Sequence, residues 1–546
     1  MMKKIGLFIC ILLLTCNRGL FAQGNEIDAY ILSNTEINGT ARSIAMGGAF
    51  GSLGGDLSVI SQNPAGLGIY RSSEISGSLD LSVNKTSANW NGTAVNQNKT
   101  RFAPNNFGFE LYFPTGSDAV RNWNLGFSYN RVKNFNRRYR MSGGRQEYSM
   151  ADYAAWRASN AFGNGQGIPE NDLKYREGVY DPYNNGGLGG HWLSVLGYES
   201  GMFGNMVGQD GLYHSAFGER KGDEWTMLSP DQMHLSVNES GHMDEYNVGF
   251  GMNVSNFLFF GASLSVTDIN YKSSSFHEEY FDYDKSKIDE LYLENWLNTE
   301  GSAVSVNVGV IMNLQMLRLG IAYNSPRWYD MTDYYDARAR TYINDESPPE
   351  FKASVPENSY SEYRFRTPGK WIFSGSFILG TSALISADYE IVNYKNMYFH
   401  PRDGYGYDIN YGANKFIDED YTLSHTLKIG TEVKATSRLA LRAGYMMQTS
   451  PMREKLANNN NEVLPAGTVP HFTVTSKPVN YYTAGLGYRF TPNVFMDLAY
   501  VYRVGNSDAY AFSNTYSREG KAEVVSKPAL LKAKTTRLVM TVGYKF

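Results

Sequence analysis

Cysteine is almost missing from this 546-residue sequence: there are two, Cys10 and Cys16, both near its start. A disulfide framework is therefore excluded for the rest of the chain. Beyond the first 22 residues no stretch reaches the run of about 18 apolar residues that a transmembrane helix needs. Charged residues are only 19% and the net charge is -4, which gives no electrostatic case for nucleic acid. The 18 prolines are too few for a disordered linker protein. Of the eight histidines none forms an i, i+4 pair, so no zinc motif is present. G-x-S-x-G, Walker A and dinucleotide fingerprints are missing too. These absences predict no enzyme, no cofactor and no metal site.

What is abundant is Tyr, Phe and Gly, at 40, 29 and 54 residues. Strands, interfacial aromatics and tight turns use these residues. Residues 1–22 read as a secretory signal: Lys3 and Lys4 lead into the apolar run Ile5–Leu14, with cleavage after Ala22. Lipoprotein processing at Cys16, after Thr15, is the other reading. Either way the chain is exported, and its stability must come from burial and closure.

Period-2 alternation begins soon after. Phe107, Phe109, Leu111 and Phe113 alternate with small or polar residues, as do Trp123, Leu125, Phe127 and Tyr129. Strand-like segments then come in pairs on tight turns: 245–254 with 257–271, 303–312 with 317–324, 370–379 with 383–394, 421–433 with 439–448, and 481–490 with 494–503. The last, 534–546, puts Leu538, Met540, Val542, Tyr544 and Phe546 on one side. Long polar links separate the pairs, at 85–103, 131–241, 272–301, 325–361, 396–420, 449–478 and 504–531. Short turns alternating with long loops over roughly 14 strands predict an all-β fold, a transmembrane antiparallel barrel of the outer-membrane kind. Barrel residues are expected over 72–546, with 131–241 as a long extracellular loop insertion. The terminal Phe546 is similar to the signal read by the barrel-insertion machinery. Outer-membrane lipid and lipopolysaccharide are then the surroundings of a monomer, and the acidic clusters at 281–290 and 416–420 could meet lipopolysaccharide through divalent ions.

Ahead of the barrel, residues 23–71 predict a plug inside the lumen. Gly39–Arg71 is dense in Gly, Ala and Ser, makes no long helix or strand, and closes on Asn63-Pro64-Ala65, a forced turn. Gly47, Gly48, Asn63, Pro64 and Ala65 are the candidate plug or gate residues. Met46 and Phe50, with Arg442 and Arg537 from the wall, are candidate ligand contacts. Lys428, Glu432, Arg442, Asp388, Glu390, Asp497, Arg503 and Arg537 are expected to face the interior, either gripping a polar head or pairing across the lumen.

The segments ARSIAMGGAF and DLSVISQNPAGL resemble the N-terminal signature of the outer-membrane long-chain fatty-acid transporter (FadL/TodX-type) family, and LRAGY, AGLGY and RFTPNVFMDLAYVY resemble its closing strands. The resemblance implies a 14-stranded barrel, a small N-terminal plug, and passive uptake of hydrophobic compounds such as long-chain fatty acids, with Asn63, Pro64 and Ala65 aligning with the plug motif. The alternatives are a barrel that anchors or assembles a partner protein, for secretion or as a receptor, and a haem receptor using a loop histidine such as His191 or His214.

Overall fold

The computed structural model describes residues 25–546 apart from 162–166, 184–190, 205–211, 222–223, 283–287, 345, 358, 401–410, 458–466, 468 and 518–520. The leader expected over 1–22 lies outside the described residues.

Fourteen strands among the described residues close into one antiparallel barrel. They are β1 Glu74–Trp90, β2 Thr93–Pro114, β3 Val120–Asn134, β4 Gln232–Val254, β5 Leu258–Asp282, β6 Ile288–Leu314, β7 Leu317–Asn324, β8 Lys370–Leu379, β9 Ala383–Asn393, β10 Leu423–Lys434, β11 Leu439–Gln448, β12 Val479–Arg489, β13 Val494–Tyr510 and β14 Ala529–Lys545. β14 returns to β1, with Val542 opposite Gly77, so the barrel has no sheet edge at its seam. Alternation sets the register. Phe107, Phe109, Leu111 and Phe113 on β2 lie opposite Tyr129, Phe127, Leu125 and Trp123 on β3, all facing lipid. Phe113 and Trp123 stack with centroids 4.1 Å apart. The facing inward row is Asn, Ser and Gly, which hydrogen-bond one another along the lumen: Asn106 to Asn130 (2.7 Å), Asn247 to Ser128 (3.4 Å), Asn307 to Ser265 (3.0 Å).

Three of the long links expected from sequence are largely strand: 85–103, 272–301 and 325–361, the last with strands at Trp328–Tyr342, which pairs with β6, at Glu350–Ser354 and at Ser359–Arg366. β1 and β2 meet at Asn91-Gly92, both with positive φ (48° and 89°), and β5 and β6 continue through most of 272–301. The ends of 131–241 are wall as well: β3 reaches Asn134, a strand at Arg137–Gly143 pairs with β4, and β4 starts at Gln232. A strand of 25 residues such as β5 is roughly 80 Å long at about 3.3 Å per residue, far more than a tilted crossing of the bilayer needs. The wall thus stands clear of the membrane on the long-loop side. There it has no lipid on its outer face, and the apolar alternation that marks a crossing strand disappears.

Inside this raised part the connection after residue 143 packs helices α4 Met150–Ser159 and α5 Trp192–Glu199 (plug helices are numbered first, below). Ser149 and Asp152 form a capping box on α4, and Ser149 also donates to Glu279 of β5 at 2.5 Å. Tyr153 stacks on Phe512, and Trp192 donates to Gly467 O at 2.8 Å. A large apolar cluster fills the outer half of the barrel, and the segment caps the mouth from within. The cluster 416–420 ends a helix at Tyr411–Asp420, where Asp418 pairs with Lys395 at 3.0 Å; part of 281–290 lies outside the described residues.

Candidate functional site

The N-terminal segment begins high in the lumen with α1 Glu26–Ser33, where Tyr30 packs against Tyr394 and Tyr421 (5.5 and 6.0 Å between centroids). It descends to the short helices α2 Ala41–Ala45 and α3 Val59–Gln62 and a 3-10 turn at Pro64–Ile69. No element between 39 and 71 exceeds six residues, as its small-residue composition predicts. Ala45, Met46, Phe50, Leu57, Ile60 and Leu67 are fully buried there. Large apolar side chains so placed are worth about 1.5–3 kcal/mol each.

The wall receives this plug through its own glycines. A β-carbon at Gly261 (β5) would lie 2.1 Å from the Pro64 carbonyl carbon. One at Gly444 (β11) would lie 2.2 Å from Gly47 N, and one at Gly430 (β10) 2.3 Å from Met46 O. One at Gly309 (β6) would lie 1.9 Å from Asn63 Oδ1. Plug backbone and wall backbone therefore touch, and nothing larger fits between them. Polar wall side chains then satisfy the plug's main chain. Thr483 bonds both Gly47 N (3.1 Å) and Ala45 O (2.9 Å), Asp388 takes Gly51 N (2.9 Å), Thr541 takes Ala41 N (2.7 Å), and Asn324 gives to Ser61 O (2.6 Å).

Each residue singled out from sequence has a place in this seat. Gly47 and Gly48 have φ of +66° and +75°, open to glycine at little cost. Asn63 accepts from Ala65 N (3.2 Å) and donates to Gly51 O (2.6 Å), so Asn63-Pro64-Ala65 ties the last plug turn to the middle of the segment. Met46 is wedged against Gly430, and Phe50 lies under the Arg42 guanidinium at 5.3 Å. Arg442 pairs with Glu432 (2.6 Å) and Asp497 (2.5 Å); Arg537 pairs with Asp80 (2.6 Å) and donates to Ile37 O (2.8 Å). Lys428 pairs with Glu390 at 2.5 Å, and Arg503 lies 3.9 Å from Glu36. All eight interior charges do point inward. Sequence reasoning missed Arg42, whose bidentate pair with Glu432 (2.9 and 3.1 Å) crosses 390 residues, and also Glu245, Arg327 and Lys370. Their strand parity was the only signal for the wall charges among them.

Above the plug is a chamber of about 100 Å³. Its lining is mainly polar rather than the apolar pocket a hydrophobic cargo suggests. Lys370 (3.7 Å) and Lys428 (2.5 Å) share the single carboxylate of Glu390, while Arg327 pairs with Glu245 at 2.6 Å. Glu36 lines the same chamber and Asp388 stands opposite Lys428, so cations and carboxylates are matched there. A wider cleft of about 1080 Å³ opens on the outer surface of the raised wall, with Tyr175, Phe276, Tyr292, Val355, Arg338 and Arg340 along it.

The wall itself is interrupted beside the plug. The β2–β3 ladder runs only from Asn106↔Asn130 to Pro114↔Asn122. From Thr93 to Asn105, β2 has no ladder partner on that side among the described residues. Pro104 has no N–H to offer one, and β3 shifts register at Arg131/Lys133 and bends inward. There Val132 O accepts from Glu36 N (3.1 Å) and Lys133 Nζ donates to Ile31 O (2.5 Å), so the bend is fastened to the plug segment. The gap begins at membrane level, where Phe102 is 67% exposed beside Leu81. Two inward side chains of β2 span it. Lys99 Nζ reaches Asn238 Oδ1 (2.8 Å) and Glu239 O (2.6 Å); Arg101 reaches Asn134 Oδ1 (2.6 Å) and Gly241 O (3.0 Å).

The haem alternative gains no support from the family comparison; His191 stands at the start of α5. Among solved structures the fold is similar to that of a Pseudomonas aeruginosa FadL homologue (TM-score 0.50, 10% identity, covering 94% of this chain and 99% of that one). The P. putida toluene transporter TodX gives a TM-score of 0.47 at 13% identity, over 93% and 99% of the two chains. At such identities the likeness is one of fold alone. Comparison with curated protein sequences gives no match. The family model for outer membrane protein transport proteins (OMPP1/FadL/TodX) matches residues 244–546, from the fourth strand to the last residue. With more than half its length on that model, and a closed barrel stoppered by its own leading segment, this chain belongs to the OMPP1/FadL/TodX family of outer membrane transport proteins.

Proposed function

We propose that the protein takes hydrophobic compounds through the outer membrane by capture at the outer cleft and sideways release between β2 and β3, past a plug that stays seated. The observation that carries this reading is the interrupted ladder. It is a break in wall hydrogen bonding that begins beside lipid-facing side chains, and it adjoins a plug held by backbone contact all round. A backbone edge in hydrocarbon is costly unless covered; here two cationic side chains cover it and can swing away, which a ladder cannot. Burial of apolar surface drives capture, at about 25 cal/mol per Å². Lys370, Lys428 and Arg327 beside the plug offer donors to a carboxylate head, which favours long-chain fatty acids within the class. Relatives described as toluene transporters lend the class but not the head group.

Removing both bolts tests the route. Lys99→Ala with Arg101→Ala deletes four charge-assisted hydrogen bonds, each worth at most about 1.5–3 kcal/mol. Uptake of radiolabelled oleate by cells carrying the variant is expected to rise by about tenfold, since the open gap becomes more populated. Unchanged or slower uptake with normal barrel assembly would count against sideways release.

A further inference from the structure

We propose that the chamber on the periplasmic side of the plug is a binding site for the anionic head of a single-chain amphiphile. This goes beyond the uptake reading, whose route does not pass through it. The chamber holds about 370 Å³ between the plug loop at Leu53–Asp56 and the short turns of the barrel, a size ordinary for a small-molecule site. Leu53, Ile69, Ile378, Leu384 and Phe495 give it an apolar side.

Its carboxylates are already occupied. Glu432 takes both Arg42 and Arg442, Asp497 takes Arg442, and Glu74 takes Lys545 at 3.1 Å. Asp56 accepts from Thr40 Oγ1 (2.7 Å) and Ser58 N (2.9 Å). Arg318, Lys434, Arg438 and Arg489 remain, and none makes an ion pair among the described residues. Arg318 is the most telling. It points into the lumen from β7, half-buried, and its donors meet only neutral acceptors, Leu53 O (2.7 Å) and Asn313 Oδ1 (3.4 Å). A guanidinium drawn out of water without a counter-charge favours any anion that can reach it. Lys434, Arg438 and Arg489 at the rim add to the same potential and draw that anion in. Charge on one side and hydrocarbon on the other fit a head and a tail. A fatty acid and an anionic lysophospholipid of the inner leaflet share that chemistry.

A bimane on Ser437→Cys, on the turn at the chamber's mouth, reads occupancy when stearate carrying a doxyl spin label beside its carboxylate quenches it. Quenching is expected with the acid, and about tenfold weaker with its methyl ester. Arg318→Gln combined with Arg438→Gln is expected to weaken it similarly, while Arg318→Lys restores most of it. Uptake of oleate by these variants is expected to stay unchanged, so that a failure of the sideways route leaves this measurement standing. Displacement by dodecanoate or by lysophosphatidylglycerol supports the site, and whichever displaces at lower concentration names its natural source. Equal quenching by acid and ester, or quenching indifferent to both arginine changes, would overturn the proposal. Arg438→Gln with Arg489→Gln, both exposed and free of the fold's packing, gives the same reading if Arg318→Gln fails to assemble.

Discussion

Valine at Gly261 and Gly444 is expected to unseat the plug. At each position the first added carbon already falls within 2.2 Å of plug backbone, not of a side chain that could turn aside. Either the plug or the strand must move. Overpacking a well-filled site costs about 1–3 kcal/mol, and more where both neighbours are backbone. The two glycines contact different parts of the plug, Pro64 and Gly47, so their effects add to at least about 2–6 kcal/mol. The checks are the temperature at which the barrel loses its compact gel mobility and the rate at which protease clips residues 25–71. A fall of many degrees with faster clipping is expected. Valine variants with native melting and native protection would show that the seat is looser than these contacts imply.

Glu432→Gln is expected to do comparable damage through charge. Glu432 receives both the plug's Arg42 and the wall's Arg442, and its side chain is 7% exposed. Taking away one member of a buried ion network leaves the others desolvated and unmatched, at about 3–5 kcal/mol. Arg42→Ala alone is expected to cost less, because Arg442 keeps both Glu432 and Asp497. In the Glu432→Gln background, Arg42→Ala is expected to recover part of the loss, since it removes a stranded cation. Additive losses in that cycle would contradict the coupling.

The contrast between these two sites shows what the sequence could reveal. Lipid-facing rows such as Phe107–Phe113 and Leu538–Tyr544 announce themselves, because hydrocarbon on one side forces period 2. The same parity places Glu432, Arg442 and Asp497 in the lumen without a structure. It cannot say that Glu432 meets Arg42, since the plug has no period and the two lie 390 residues apart. The wall glycines are legible as glycines but read as strand-weakening positions until the plug is seen against them. Strand beyond the membrane, as in 85–103 and 272–301, was invisible for a different reason: water outside and protein inside impose no simple alternation. The β2–β3 gap left one trace, Pro104 in an otherwise strand-like run.

Whether cargo passes beside a stationary plug is best decided by fastening the plug. Ala41→Cys and Thr541→Cys stand at a buried plug–wall contact, where Ala41 N lies 2.7 Å from Thr541 Oγ1. With the pair oxidised, uptake of labelled oleate is expected to match that of the reduced protein. Uptake that stops on oxidation and returns on reduction would mean that the plug must move, and sideways release past a seated plug would be contradicted.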